Sequence, residues 1–314
     1  MSIEKTLKGK FRPIQAGTAK DFVFYLMGNG FPFSYAESAK DGTITITTKF
    51  EYDAQFDEAK KLLKIWKRKI ILKVLYLMKE KAMEIKKASE LQKGTNFSAL
   101  IYAPPGTGKT TTIKYLPGRT LVIDVDRTTI VLAGEDNIDI VYADLNDTEV
   151  GFKKMLKEIH DEHIKDYDNI VIDNISELEQ AWLGEKAKLS RTKDGRAMGI
   201  PEMGDYNKFS FFLTDLIRYV NSWKGVNKVY TAWETTRQIE TPSGQIYNQF
   251  IPKIREKIIE NVMGLVNLVG RLVISEETGN RGFILQPSNS TFAKNQLSNA
   301  KFAKQEEIWK FEEE

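Results

Sequence analysis

The ten residues APPGTGKTTT at 103–112 constrain this chain more than any other stretch. An apolar run at 97–102 precedes them, and a short segment at 113–116 follows and is closed by Pro117-Gly118. The stretch fits a phosphate-loop pattern, GxxxxGK[ST], with Ala103 in place of the first glycine, in the strand–turn–helix setting such a loop requires. Gly106 and Gly108 let the backbone curl so that several N–H groups face inward, toward where phosphate oxygens would sit. Pro105, Gly106, Thr107, Gly108, Lys109, Thr110 and Thr111 are therefore the expected shell around a nucleoside triphosphate. Lys109 offers a mobile cation to the β- and γ-phosphates, and the Thr110 hydroxyl is placed for Mg²⁺. The helix opening at Lys109 is expected to run to 116 and to add the positive end of its dipole.

From residue 96 onward strands and helices alternate. Runs at 97–102, 120–124, 138–143, 169–173 and 228–233 read as buried strands, with helical patterns at 110–116, 148–163, 177–189 and 206–223 between them. Alternation of this kind predicts an α/β fold, a mainly parallel sheet flanked by helices on both faces. Residues 252–266 read as a helix, and 268–275 with 282–286 as a terminal hairpin about EETGNR. The first third differs. FPFSYAES and GTITITTKFEY are β-rich runs around Lys40-Asp41-Gly42, a hairpin signal, and 56–88 is a long Lys-rich helical segment. The expected organisation is a small α+β domain at 1–93, an ATPase-type core at 94–300 and a charged tail, KQEEIWKFEEE, within 301–314.

Composition bounds the setting. Residues 1–95 hold 19 Lys and Arg against 11 Asp and Glu, in a chain whose formal charge is only +3, so a basic N-terminal third joins an acidic body. That asymmetry fits polyanion binding and equally a solvated basic helix. The chain has no cysteine, which excludes disulfides and thiolate metal sites. No apolar stretch approaches the ~20 residues a membrane span needs, and a cytoplasmic protein is expected.

A triphosphate site holding Mg²⁺ needs a second anchor, an acid ending a neighbouring buried strand. NIVIDNIS offers Asp173, a Walker B arrangement whose carboxylate reaches the metal through a water. Hydrolysis also needs a group that orients or deprotonates water. Asn174, not an acid, follows Asp173, so the candidate comes from LVIDVDRTT. Asp124 and Asp126 share a face there, and Asp126 lies nearer the carboxyl edge where ligands bind in such sheets. The bland alternative is an Asp that caps the loop before Thr128.

Strand, phosphate loop, helix, IDVD, VIDN, a long loop and VYTAWETTRQ together resemble the RecA-type ATPase core. GDYNKFSFFLTDLIRYV, NKVYTAWE and GFILQPSNSTFAKNQL resemble, more narrowly, phage-encoded nucleotide-binding proteins with a pared-down RecA core, including Sak-type single-strand annealing proteins. The resemblance spans about 96–300 and implies ATP and Mg²⁺ as ligands. It puts the catalytic acid on Asp126, where Glu is usual, and a γ-phosphate sensor on Glu234, where RecA proteins carry Gln. It implies that a cation from one subunit reaches its neighbour's γ-phosphate, with Lys294 at the matching place and Arg271 or Arg281 as alternatives.

Two loops of such a core line a DNA path. The first spans 185–205 with Lys186, Lys188, Arg191, Lys193 and Arg196; the second spans 235–248 with Arg237 and Tyr247. Cations, an aromatic ring and glycines suit single-stranded DNA, and an ordinary surface loop would look much the same. The implied partners are single-stranded DNA, further copies of the chain in a ring or filament, and a single-strand binding or replication protein, in the host cytoplasm if the gene is a phage's. Two other functions fit the same motifs: an AAA-type loader or remodeller of a protein such as a helicase, and a scaffold gated by ATP without useful turnover. His160 and His163 share a helical face and are expected to be solvated rather than metal-binding, and the aromatics of YNKFSFFL with Trp182, Trp223 and Trp233 to pack.

Overall fold

The structure is a computed structural model. It describes residues 94–191 and 199–311 without a break and, of the first ninety, 5–11, 26, 31, 33–37, 43–50, 57, 59–61 and 87–88. The chain divides into two units, 1–90 and 91–314. In the first, β1 (Lys5–Phe11), β2 (Phe33–Glu37) and β3 (Ile44–Phe50) form an antiparallel sheet in the order β1-β3-β2. β2 and β3 are the two β-rich runs, and β1, which pairs along the whole of β3, had no clear sequence signal. The Lys40-Asp41-Gly42 turn, Trp66 and most of the Lys-rich helical segment lie outside the described residues.

The second unit is built on one large sheet. Its strands are β4 (Ser98–Ala103), β5 (Thr120–Asp124), β6 (Ile138–Tyr142), β7 (Asn169–Asp173), β8 (Asn227–Glu240), β9 (Ile246–Pro252), β10 (Leu268–Ile274), β11 (Arg281–Ile284), β12 (Lys294–Asn295) and β13 (Phe302–Lys304). Across the sheet the order is β13-β11-β10-β4-β8-β7-β5-β6, and the six strands from β10 to β6 run parallel. Helices α1 (Lys109–Thr112), α2 (Val150–Glu158), α3 (Ile175–Leu189), α4 (Met203–Asn221) and α5 (Glu256–Gly264) fill the connections. This is the mainly parallel α/β architecture that the alternation predicts.

Strand alternation sorts the core into two layers. Leu100, Tyr102, Ile123 and Ile172 face a layer made with Trp182, Phe209, Leu213 and Ile259 of α3, α4 and α5. Ala99, Ile101, Val122, Val171 and Val229 face the other, closed by Ile113, Leu116, Phe283, Ile308 and Trp309. YNKFSFFL packs as expected except Phe211, which is exposed. His160 is half-buried, beside Asp161 and against the Tyr219 and Trp223 rings, and Glu158, Glu162 and His163 are an exposed group.

Several expectations about element boundaries change. The helix after the phosphate loop has only four α residues and then tightens into a 3₁₀ turn, Ile113–Tyr115. Leu116 precedes Pro117 and is extended, at φ −65°, ψ 130°, because the proline ring disfavours the helical region for its predecessor. Helix α3 continues through Leu189, so Lys186 and Lys188 are helical and not part of a loop.

The second loop, 235–248, is a hairpin. β8 runs on past the sheet edge to Glu240, turns at 241–245 and returns as β9. β-branched and aromatic residues recur along both arms (Thr235, Thr236 and Ile239; Ile246, Tyr247, Phe250 and Ile251), and TPSG supplies the turn. α5 accordingly begins at Glu256, not at 252.

Finally, the charged tail is part of the core. β13 pairs with β11, Trp309 stacks on Phe97 at 5.8 Å, and Phe311 meets that ring edge-on at 5.0 Å. Apolar residues thinly spread among acids look solvated in sequence, yet Ile308 and Trp309 close one sheet face.

Candidate functional site

Parallel strands bring their carboxyl ends to one edge, and ligands of open α/β sheets bind there. At that edge β4 delivers the phosphate loop, β5 the segment to Asp126, β7 Asp173 and β8 Glu234. β4 and β7 are not neighbours, since β8 lies between them. Their side chains meet nonetheless: Thr110 Oγ1 donates to Asp173 Oδ2 at 2.7 Å. On the far side Asp173 Oδ1 accepts from Thr231 of β8, so the intervening strand supplies the bridge. Thr231 was missed. Its signal was a polar residue inside the otherwise apolar run of β8.

The loop takes the backbone its glycines allow. Gly106 and Gly108 have φ of 77° and 108°, which disfavour L side chains. Thr107 Oγ1 donates to the Pro104 carbonyl at 2.9 Å. Lys109 is buried, and its Nζ donates to the carbonyls of Ala103 at 3.1 Å and Pro104 at 3.0 Å. Burial pushes its amine down from the usual lysine range, and the charges of Asp173, Asp126 and Glu234 pull it back. Three acids thus surround one lysine.

Asp173 is buried, and burial raises its carboxyl to about 6; the Thr231 and Thr110 hydroxyls oppose the rise, while Asp126 and Asp124 add to it. Asp124 is occupied locally, accepting from the Arg127 N–H at 2.6 Å and Thr129 Oγ1 at 2.6 Å. Asp126 takes the capping role weighed for it and is held on its other side as well. One oxygen caps Thr128, with Oγ1 at 2.5 Å; the other accepts from Asn174 Nδ2 at 2.5 Å. Asn174 also caps α3, its Oδ1 accepting from the Glu177 N–H at 2.7 Å. One amide therefore fixes Asp126 against the helix that follows Asp173.

Glu234 is neutralised in place. Arg271 of β10 grips it with two N–H donors, Nε at 2.8 Å and Nη2 at 3.2 Å, and stacks over Phe250 at 3.5 Å. Glu234 therefore does not stand at this edge as an unpaired anion. Arg281 also lies at this chain's own loop, its Nε donating to the Thr107 carbonyl at 2.8 Å. Lys294 is not brought to this edge. It sits on β12 against the start of β10, donating to the carbonyls of Gly264 at 3.1 Å and Val266 at 2.7 Å.

The candidate DNA residues divide. Lys186 pairs with Glu149 and Glu185, each at 3.1 Å, over the Trp182 ring. Arg237 pairs with Glu260 at 3.2 Å and Gln249 at 3.1 Å. Lys188 is exposed, Arg191 turns back onto the carbonyls of Lys188 and Ser190, and the half-buried Tyr247 donates to Gln245 at 2.7 Å. Ser190 Oγ donates to the Ile200 carbonyl at 2.6 Å and closes the base of the first loop. Lys193 and Arg196 lie outside the described residues.

Residues 95–297, well over half the chain, match a family of AAA domains. This chain belongs to the AAA-domain family. Among solved structures, the AAA domain is similar to the flagellar accessory protein FlaH of Methanocaldococcus jannaschii. Identity is 13% and the TM-score 0.34, over 68% of this chain and 86% of that one. It is also similar to a formyltetrahydrofolate deformylase of Pseudomonas putida KT2440, at 12% identity and a TM-score of 0.21, over 76% and 71%. At such TM-scores neither likeness bears on what the AAA domain does. No curated protein matches the sequence. Among the described residues no helix is long and apolar enough to cross a membrane.

The donor set of this AAA domain fits a divalent cation. A hydroxyl and a buried carboxylate face each other beside the phosphate loop, both hard oxygen donors of the kind Mg²⁺ prefers. Thr110 and Asp173 are the residues that would hold it.

Proposed function

We propose that this AAA domain binds ATP with Mg²⁺, hydrolyses it, and assembles as a ring or filament on single-stranded DNA in phage-type recombination, annealing or replication. The observation that carries the ATPase part is the Thr110–Asp173 contact beside the phosphate loop, with Asp126 fixed alongside. Mg²⁺, held by Thr110 and Asp173, would offset the charge of the phosphates. Lys109 exchanges the carbonyls of Ala103 and Pro104 for phosphate oxygens. Asp126, oriented by Asn174, accepts the proton of the attacking water. Support for the DNA part is positional: the β8–β9 hairpin starts at Glu234, beside the site. α3 begins next to Asn174 at that edge, and near its end Glu185 accepts from the Thr148 N–H at 2.8 Å, in the connection that leaves the carboxyl end of β6 toward α2. Lys294 serving a neighbouring subunit belongs to the same proposal.

Family membership favours a second reading, a loader or remodeller of a protein partner, and the internal pairing of Lys186 and Arg237 leans the same way. ATP turnover measured alone, with single-stranded DNA and with a replicative helicase separates the readings. Stimulation by DNA that fades with salt supports the first. Stimulation by the helicase alone overturns it in favour of the second. No turnover under any condition leaves an ATP-gated scaffold.

A further inference from the structure

The C-terminal strands hold the phosphate loop from outside. Arg281 Nε, at the start of β11, donates to the Thr107 carbonyl at 2.8 Å. Gln305, just past β13 and buried, donates through Nε2 to the Gly108 carbonyl at 2.8 Å and to Thr112 Oγ1 at 3.0 Å. Trp309 Nε1 donates to the Thr112 carbonyl at 3.0 Å. Three side chains from 281–309 thus grip 107–112, and a Cβ on Gly108 would meet both Gln305 Nε2 and Arg281 Nε within 3.2 Å.

We propose that Arg281 and Gln305 are positioning residues that aim the phosphate-binding N–H groups of Gly108 and Lys109. The inference rests on the nucleotide reading of this loop. A trans peptide plane points its C=O and the next N–H in opposite directions. Pinning the Thr107 carbonyl to Arg281 on the outside therefore sets the Gly108 N–H toward the inside. Pinning the Gly108 carbonyl to Gln305 does the same for the Lys109 N–H. Outside help is needed because α1 has a single turn and contributes little dipole of its own. The segment that reads as a charged tail is, on this view, part of the nucleotide site.

Equilibrium binding of a fluorescent ATP analogue to the full chain tests the idea. Arg281→Ala removes an exposed side chain, and Gln305→Met removes the donor while keeping the side chain's length and leaving the Gly108 carbonyl its bonds from the Thr112 N–H and Oγ1. Each should weaken ATP and ADP binding about tenfold, the worth of one hydrogen bond to a charged group, with the melting temperature of the nucleotide-free protein held. Arg281→Lys should restore part of the loss. Unchanged affinity in both variants overturns the proposal. So does a loss that tracks melting temperature and is not relieved by Arg281→Lys, because that marks mere packing. If the parent and Lys109→Ala bind the analogue alike, the nucleotide reading falls first and this inference with it.

Discussion

Replacing Asp173 by Asn should make the nucleotide-free protein more stable while destroying its metal-dependent ATP binding. The carboxyl is buried, and its pKa is raised from 3.8 to about 6 chiefly by loss of solvent. For an acid the sign of such a shift is unfavourable. Below pH ~4 both states are protonated and the group is neutral in its effect; between ~4 and ~6 only the unfolded state ionises; above ~6 the whole penalty stands. A shift of about two units at ~1.36 kcal/mol each gives ~3 kcal/mol at pH 7.5 and roughly half that at pH 5. Asn keeps the shape and an acceptor for one of the Thr110 and Thr231 hydroxyls but never ionises. Urea unfolding in the presence of a chelator should show the variant ~2–3 kcal/mol more stable at pH 7.5, or roughly 5–10 °C in melting temperature for a unit of this size. The gap should shrink toward pH 5.

With Mg²⁺ and ATP added, the order should reverse. A ligand at a thousand times its Kd stabilises the parent by about 4.1 kcal/mol, more than the gap, and the variant, lacking its metal ligand, gains little. A variant less stable than the parent at pH 7.5 without metal would refute the reasoning, because it would mean that the Thr110 and Thr231 hydrogen bonds outweigh the desolvation of the charge. A gap that does not change with pH would refute it equally.

Two further substitutions probe the rest of the site. Asp126→Asn should lower ATP turnover by about 10²-fold or more while nucleotide affinity holds, the range expected for a lost general base; retained turnover would reduce Asp126 to the cap of Thr128 and the partner of Asn174. Arg271→Ala should destabilise the fold by about 3 kcal/mol by stranding the buried Glu234 carboxylate, and the pair Arg271→Met with Glu234→Leu should recover most of that loss in urea titrations. If the losses of the single variants simply add in the pair, the two side chains are not coupled.

The parts of this site that were legible in the sequence are those whose chemistry demands a rare residue pattern. The left-handed φ values of Gly106 and Gly108 need glycine, and the turn between β4 and α1 needs the Lys and Thr that follow. Asp173 stood out because an acid closes a run of apolar residues. What was hidden depends on partners distant in sequence. Thr231 and Asn174 gain meaning only when β8 and β5 flank β7, and Arg271 only when β10 lies two strands from β8. Arg281, Gln305 and Trp309 lie some two hundred residues from the loop they hold, in segments whose composition reads as surface. β9 and β13 were missed for a related reason: a hairpin arm reads as a loop when half its side chains are polar, and a three-residue strand has no period to detect.

The charge balance of the edge explains why its residues belong together. Lys109 and Arg271 face Asp126, Asp173 and Glu234, so with every group ionised these five side chains sum to one negative charge before any phosphate arrives, with Arg281 on the outer side of the loop. Alone, that balance would repel a triphosphate, whatever the loop's N–H groups contribute. Arg271 is already committed to Glu234, which leaves Lys109 as the cation of this set free to turn from backbone carbonyls to phosphate. We take the surplus negative charge to sit on Asp173, whose carboxyl burial raises to about 6 and which faces the Thr110 hydroxyl. A divalent cation entering there with the nucleotide removes both penalties together, the repulsion between phosphates and acids and the cost of an ionised, buried Asp173. Nucleotide and metal should therefore bind as one unit, with ATP affinity falling steeply when Mg²⁺ is withdrawn from the parent and changing little in Asp173→Asn.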